Sequence, residues 1–202
     1  MNRRGTLKTI AFSAWLAGAG GLLMACAPKF HGTDITGSKR AAAFPFPLTD
    51  TNGQPRMLAD FKGKAVMLFF GYTQCPSVCP TTLSTMLQVK EKLGADGDKL
   101  QVLFVSVDPE RDTPEALKAY MVAFDPSFLG LFAGSPDKLA KLANEFNIYY
   151  KKVEGQTPTS YTVDHSAFSY VYDPQGRLRL KSDFGASADA VAEDIKRLLD
   201  GA

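Results

Sequence analysis

The chain has 202 residues, 45% of them hydrophobic and 22% charged, with 23 Lys and Arg against 21 Asp and Glu and a net charge of +2. The positive excess lies wholly at the start: beyond residue 25, 20 basic residues face 21 acidic ones, a net charge of −1. No basic patch remains to hold a nucleic-acid backbone, and three cysteines are too few for the usual iron–sulfur ligand set.

The first segment reads as an export signal. Arg3, Arg4 and Lys8 precede an apolar run over residues 10–25, which closes with Leu23-Met24-Ala25-Cys26. That ending resembles a bacterial lipobox, so residues 1–25 are expected to be a removable lipoprotein signal and Cys26 the lipidated N-terminus. The alternative is an uncleaved anchor, for which the run falls short of the ~20 residues that span a bilayer. Arg3-Arg4-Gly5-Thr6-Leu7-Lys8 resembles a twin-arginine signal except at Thr6, where Phe is usual, which leaves both export routes open. Residues 26–43 read as a lipidated cysteine and flexible tether, with His31 incidental within it. Residues 44–202 then form one domain, facing the periplasm or another extracytoplasmic space, where thiols oxidise unless kept reduced or metallated.

Within that domain the elements alternate. Residues 46–50 and 55–58 flank Asn52-Gly53 and predict a short hairpin. Residues 64–70 are almost continuously apolar, as in a central strand covered on both faces. Pro80 suits the first turn of a helix whose apolar positions are Leu83, Met86, Leu87, Val89 and Leu93, with Gly94 at its end. Residues 101–107 predict a second buried strand. Asp112 and Glu115 then have the spacing of a capping box around Pro114, opening a helix to about Phe124. Ser135-Pro136 opens another helix, which ends near Phe146. Residues 147–153 can form a strand, and 155–163 read as a loop, expected to be mobile in the absence of metal. Residues 166–173 and 177–181 form a hairpin around Pro174-Gln175-Gly176, and Ser187 caps a last amphipathic helix to Leu199. This order is α/β with a central mixed sheet flanked by helices.

The chemistry concentrates in Cys75-Pro76-Ser77-Val78-Cys79-Pro80, at the junction of the first central strand with its helix. A helix N-terminus favours thiolate over thiol, and thiolate is the form that attacks disulfides and binds metals. The three-residue spacer leaves room for an ion between the sulfurs without excluding a disulfide. A purely structural disulfide is the bland reading, but a loop this short would restrain little of the unfolded chain. His165 is the only histidine after the tether and the natural third ligand, at the foot of a strand expected to neighbour the cysteine-bearing one. Asp164 is expected to orient its ring from behind. Two sulfurs and one imidazole suit copper, Cu(I) or Cu(II); structural zinc would want a fourth protein ligand, and none is evident. A peroxidase is not supported, because Thr73 lies two positions before Cys75 rather than three.

Phe69-Phe70-Gly71-Tyr72-Thr73 before the cysteines, Ser106-Val107-Asp108-Pro109-Glu110-Arg111-Asp112-Thr113-Pro114, and Asp164-His165-Ser166 together resemble the Sco/SenC family over most of residues 44–202. The resemblance implies a thioredoxin-like fold, a membrane anchor and one copper held by Cys75, Cys79 and His165. It also implies a metallochaperone for the CuA centre of cytochrome c oxidase subunit II, or a thiol–disulfide oxidoreductase that reduces that subunit's cysteines. Further expected partners are other periplasmic copper chaperones or thiol reductants. The lipid anchor departs from the transmembrane anchor of many members. His165 falls where thioredoxins carry a cis-proline, and the segment from Asp108 to Pro114 is either a turn and helix cap or a partner-facing surface.

Overall fold

A computed structural model describes residues 29–157 and 160–202; the signal and Cys26 lie outside the described residues. Among the described residues no helix is long and apolar enough to cross a membrane. The strands in chain order are β1 Thr33–Asp34, β2 Leu48–Asp50, β3 Pro55–Arg56, β4 Ala65–Gly71, β5 Leu100–Ser106, β6 Leu129–Phe132, β7 Tyr150–Val153, β8 Thr162–His165, β9 Ser169–Tyr172 and β10 Leu178–Ser182. The helices are α1 Val78–Lys92, α2 Pro114–Val122, α3 Pro136–Glu145 and α4 Ala188–Leu199.

Eight strands form one mixed sheet in the order β1-β10-β9-β4-β5-β6-β2-β3. β4 and β5 lie at its centre, parallel and in register from Ala65 opposite Leu100 to Gly71 opposite Ser106. Every residue of both strands is buried, which explains why neither alternates in polarity. β9 flanks β4 antiparallel, β6 flanks β5 parallel, and β2 and β3 pair through the Asn52-Gly53 turn, with Gly53 at φ 78°. β6 was not expected: its four residues Leu-Gly-Leu-Phe are too short and too Gly-broken to carry a period.

The crossovers β4-α1-β5 and β5-α2-β6 step in the same direction along the sheet, so right-handedness puts both helices on one face. Between sheet and helices Phe69 and Phe104 meet at a tilt, 5.8 Å between centroids, and Tyr120 of α2 meets Phe104 edge-on at 6.0 Å. α4 packs beside α1. The opposite face is closed by the end of α3, where Phe146 meets Phe70 at 5.4 Å and Phe44 at 5.9 Å.

Three local expectations are corrected. Thr113, not Asp112, is the N-cap of α2: its hydroxyl accepts from the Ala116 N–H, and Pro114 takes the first turn. Asp112 is one residue too early for that role and is buried elsewhere. The stretch read as tether is bound to the domain from residue 29 onward, where the Lys29 carbonyl accepts from Arg197. The N–H groups of His31 and Gly32 donate to the buried Asp194 carboxylate at 2.9 and 2.8 Å, β1 pairs with β10, and the Ala41 carbonyl accepts from the Tyr172 hydroxyl at 2.6 Å. Unpaired backbone beside an open sheet edge gains hydrogen bonds by joining it. Lastly, part of the loop at 155–163 is strand: β8 pairs antiparallel with β7, in a two-stranded sheet not hydrogen-bonded to the large one.

Candidate metal centre

β4 runs out at Gly71, and its buried trajectory aims the following loop at the mouth of α1. Thr73 fixes that loop from below, its N–H and hydroxyl donating to Asp112 Oδ1 at 3.2 and 2.6 Å. The Ser106 hydroxyl, at the end of β5, donates to Asp112 Oδ2 at 2.6 Å. Burial pushes the Asp112 carboxyl above its ordinary value despite these hydrogen bonds. The second motif is therefore neither a simple cap nor only a surface: Asp112 pins the cysteine loop to the end of the neighbouring strand. Spacing alone could not reveal this, since donors and acceptor meet across 39 residues.

α1 begins at Val78 with Ser77 as N-cap, but the Ser77 side chain makes no capping bond. The Cys79 N–H donates to Cys75 Sγ at 3.4 Å instead. A sulfur thus occupies the acceptor position that a capping oxygen usually fills, where the helix dipole favours an anion. Cys79 is fully buried in the first turn, and Cys75 is 9% exposed. Neither is in a disulfide.

The two sulfurs share one proton unequally. The hydrogen bond from Cys79 holds the Cys75 thiol far below its ordinary value, opposed by burial and helped by His165 and the backbone N–H groups of Cys79 and Ser77. Cys79 is driven the other way, first by that same shared proton and then by burial. In the reduced pair the proton therefore favours Cys79 over Cys75. Such coupled protons belong to the pair as a unit.

His165 ends β8 and reaches the sulfurs from the opposite side. Its Nε2 lies 3.8 Å from Cys75 Sγ and 3.5 Å from Cys79 Sγ. Its Nδ1 lies 3.0 Å from the Ser166 carbonyl, which can only accept, so Nδ1 carries a proton and Nε2 is the ring nitrogen that faces the sulfurs. The ring also stands edge-on to Tyr72 at 5.7 Å and 87°, and to Phe69 at 5.9 Å and 73°. One expectation changes here. The orienting acceptor is the Ser166 carbonyl rather than Asp164, which is exposed and sits opposite Lys151 in the β7–β8 pair. The strand that follows His165, β9, lies beside the cysteine-bearing β4 as expected, while His165 itself ends the β7–β8 hairpin. His31 lies apart from the cluster, paired with Glu193 at 3.0 Å.

The three donor atoms lie within 4.8 Å of one another, and among the described residues no other group of His, Cys, Asp and Glu converges in this way. Sulfur and nitrogen bonded to one ion at ordinary lengths stand about 3.5 Å apart at a tetrahedral angle and about 3.7 Å at a trigonal one. The observed 3.5 and 3.8 Å match without rearrangement. Soft sulfur and borderline imidazole fit a soft, low-coordinate cation. A cleft of about 350 Å³ opens onto Cys75 and His165, bordered by Pro76, Val78 and Tyr149, while Cys79 stays behind it. Sequence reading passed over Gly71: a Cβ there would meet Cys79 Sγ at 2.6 Å and Phe104 at 2.9 Å. Its signal was a glycine closing an otherwise bulky apolar strand.

The sequence profile of the SCO1/SenC family matches residues 35–200. The mitochondrial protein SCO2 homolog of Mus musculus is 38% identical over 154 residues, covering 75% of this chain and 60% of the relative's length. Among solved structures, Bradyrhizobium japonicum ScoI with copper bound is 42% identical with a TM-score of 0.69, covering 77% of this chain and 98% of that one. The solution structure of apo Sco1 from Thermus thermophilus is also 42% identical, with a TM-score of 0.72 over 84% of this chain and 97% of that one. The fold is thioredoxin-like, with a central mixed sheet flanked by helices.

Proposed function

The chain belongs to the SCO1/SenC family, and on that footing we propose that it is a copper metallochaperone, binding one copper through Cys75, Cys79 and His165. Its target is the CuA centre of cytochrome c oxidase subunit II. The observation that carries this reading is the convergence of two sulfurs and an imidazole nitrogen within 4.8 Å. The Bradyrhizobium relative, described with copper bound, supports the choice of metal. Copper here is cargo, and the site suits release. Cys75 and His165 border the open cleft, so an acceptor's thiolates can approach while Cys79 keeps its hold from behind. The lipobox at Cys26 supports tethering by lipid to a bacterial membrane, with the domain on its extracytoplasmic side. Other periplasmic copper chaperones or thiol reductants would load or reduce the site.

The unequal sharing of one proton favours a second reading, a thiol–disulfide oxidoreductase acting on the same target. The Cys75 thiolate would attack a subunit II disulfide to give a mixed disulfide. Cys79 would then displace it, leaving the Cys75–Cys79 disulfide and a reduced target. The two activities are linked, because the disulfide form offers no thiolates to copper.

Titration of the reduced soluble domain with Cu(I) in the presence of a chromophoric competitor is expected to saturate at one equivalent, and His165→Ala to bind more weakly. Unaltered affinity in that variant would remove the histidine from the site. Transfer to an apo subunit II domain, followed by the optical bands of its copper centre, separates the two readings. A mixed disulfide trapped on Cys75 with no copper transferred would favour the oxidoreductase.

A further inference from the structure

Arg111 supplies no donor atom, yet it touches both segments that do. Its side chain is 13% exposed. Nε donates to Asp108 Oδ2 at 2.5 Å, and Nη1 donates to Gln74 Oε1 at 3.1 Å and to the Tyr161 carbonyl at 2.8 Å. The guanidinium carbon lies over the Tyr161 ring at 3.5 Å from its centroid and over Tyr72 at 5.6 Å. The Tyr161 hydroxyl donates to Asp108 Oδ1 at 2.7 Å, so one buried carboxylate ties Arg111 and Tyr161 together. Nη2 is buried with no hydrogen-bond partner, and stacking rather than a further hydrogen bond secures that edge of the group.

The location of this cluster matters because of how the histidine is carried. β7 and β8 form their own two-stranded sheet with no ladder to the main sheet. Apart from the short link through residues 166–168 to β9, the place of His165 against the sulfurs is left to side-chain contacts. Gln74 immediately precedes Cys75, and Tyr161 immediately precedes β8. One planar, forked cation joins them, a geometry that Lys cannot reproduce.

We propose that Arg111 is a positioning residue for the metal centre: it clamps β8 to the cysteine loop and so holds the His165 imidazole at the two sulfurs in the metal-free protein. A side chain supporting a ligand in this way sets metal affinity through preorganisation, and its loss costs roughly ten- to a hundredfold.

The test uses Arg111→Lys, which keeps a cation for Asp108, and Tyr161→Leu, which keeps the Arg111–Asp108 pair but removes the stacked ring. Thermal melting checks that each variant folds, and Tyr161→Leu decides if Arg111→Lys does not. Two results are expected in either variant. Amide exchange over β8 becomes faster in the apo protein than in the parent, and Cu(I) affinity falls roughly ten- to a hundredfold. In a His165→Ala background the same substitutions should cause no further loss, because Arg111 acts through the imidazole. Unchanged β8 exchange, unchanged affinity, or losses that add in full to that of His165→Ala would each overturn the proposal. The affinity measurement rests on the copper reading; apo exchange does not. A parent protein that binds no copper would refute that reading while exchange still decides whether Arg111 holds the hairpin.

Discussion

Gly71 makes room for the Cys79 sulfur: a methyl group added at residue 71 would lie 2.6 Å from Sγ and 2.9 Å from the rings of Phe69 and Phe104. The end of β4 and the first turn of α1 meet there with no spare volume, so the position of the buried sulfur depends on a side chain that is absent. Gly71→Ala is expected to destabilise the domain by about 1–3 kcal/mol through overpacking. It should also weaken copper binding by displacing Sγ. Urea unfolding and competitive Cu(I) titration check both effects; a variant as stable and as tight as the parent would contradict the packing argument.

The unequal protonation of the cysteines predicts unequal reactivity. The Cys75 thiol is held below its ordinary value and borders the cleft, whereas the Cys79 thiol is pushed up and fully buried. Brief iodoacetamide treatment of the reduced apo protein at neutral pH should label Cys75 well before Cys79, as read by peptide mass spectrometry. Copper should suppress the labelling. Equal rates at both positions would mean that the proton is not held as described.

Asp112 and Thr113 are neighbours with separable roles. Thr113→Ala removes the α2 cap and is expected to cost about 1 kcal/mol of stability. Copper affinity should be unaltered, because Thr113 is exposed and its hydroxyl bonds within α2 rather than to the cysteine loop. Asp112→Ala would leave Thr73 and Ser106 without their acceptor and should weaken both stability and metal binding. The pair of variants, each measured by unfolding and by titration, tests whether Asp112 serves the site rather than the helix.

Two buried carboxylates should give opposite slopes of stability with pH. Burial raises the Asp112 carboxyl above its ordinary 3.8, so the folded state binds its proton more tightly than the unfolded chain does. Stability from this group therefore falls as pH rises from 3.8 through the raised value. Asp173 is also buried, but the Arg177 N–H and the guanidinium groups of Arg177 and Arg179 outweigh desolvation and hold it below 3.8. Its contribution is present above 3.8 and is lost as pH falls through the lowered value. Urea midpoints from acid to neutral pH should flatten in opposite senses for Asp112→Asn and Asp173→Asn. Slopes unchanged in both variants would contradict the assignment.

Much of the fold was legible because local chemistry fixed it. Unbroken apolar runs could only be β4 and β5, and Ser135-Pro136 and Ser187 announced the starts of α3 and α4. The cysteine pair was legible for a related reason. The ends of a buried strand and a helix are set by residues a few positions apart, so Cys75 and Cys79 were bound to share one junction. β6 and the pairing of residues 29–43 were not legible, since a short strand declares itself only when a free edge is offered to it.

By itself the sequence determined which residues could bind a soft metal and placed two of them together. Only the tertiary structure decided that His165 stands against the two sulfurs, that Ser166 rather than Asp164 accepts from its ring, and that Asp112 and Arg111 bond to the cysteine loop from a motif that read as a cap. The physical reason is distance along the chain. His165 meets Cys75 across 90 residues, and such a contact depends on how a separately paired hairpin docks, which torsional preference and hydrophobic period do not encode.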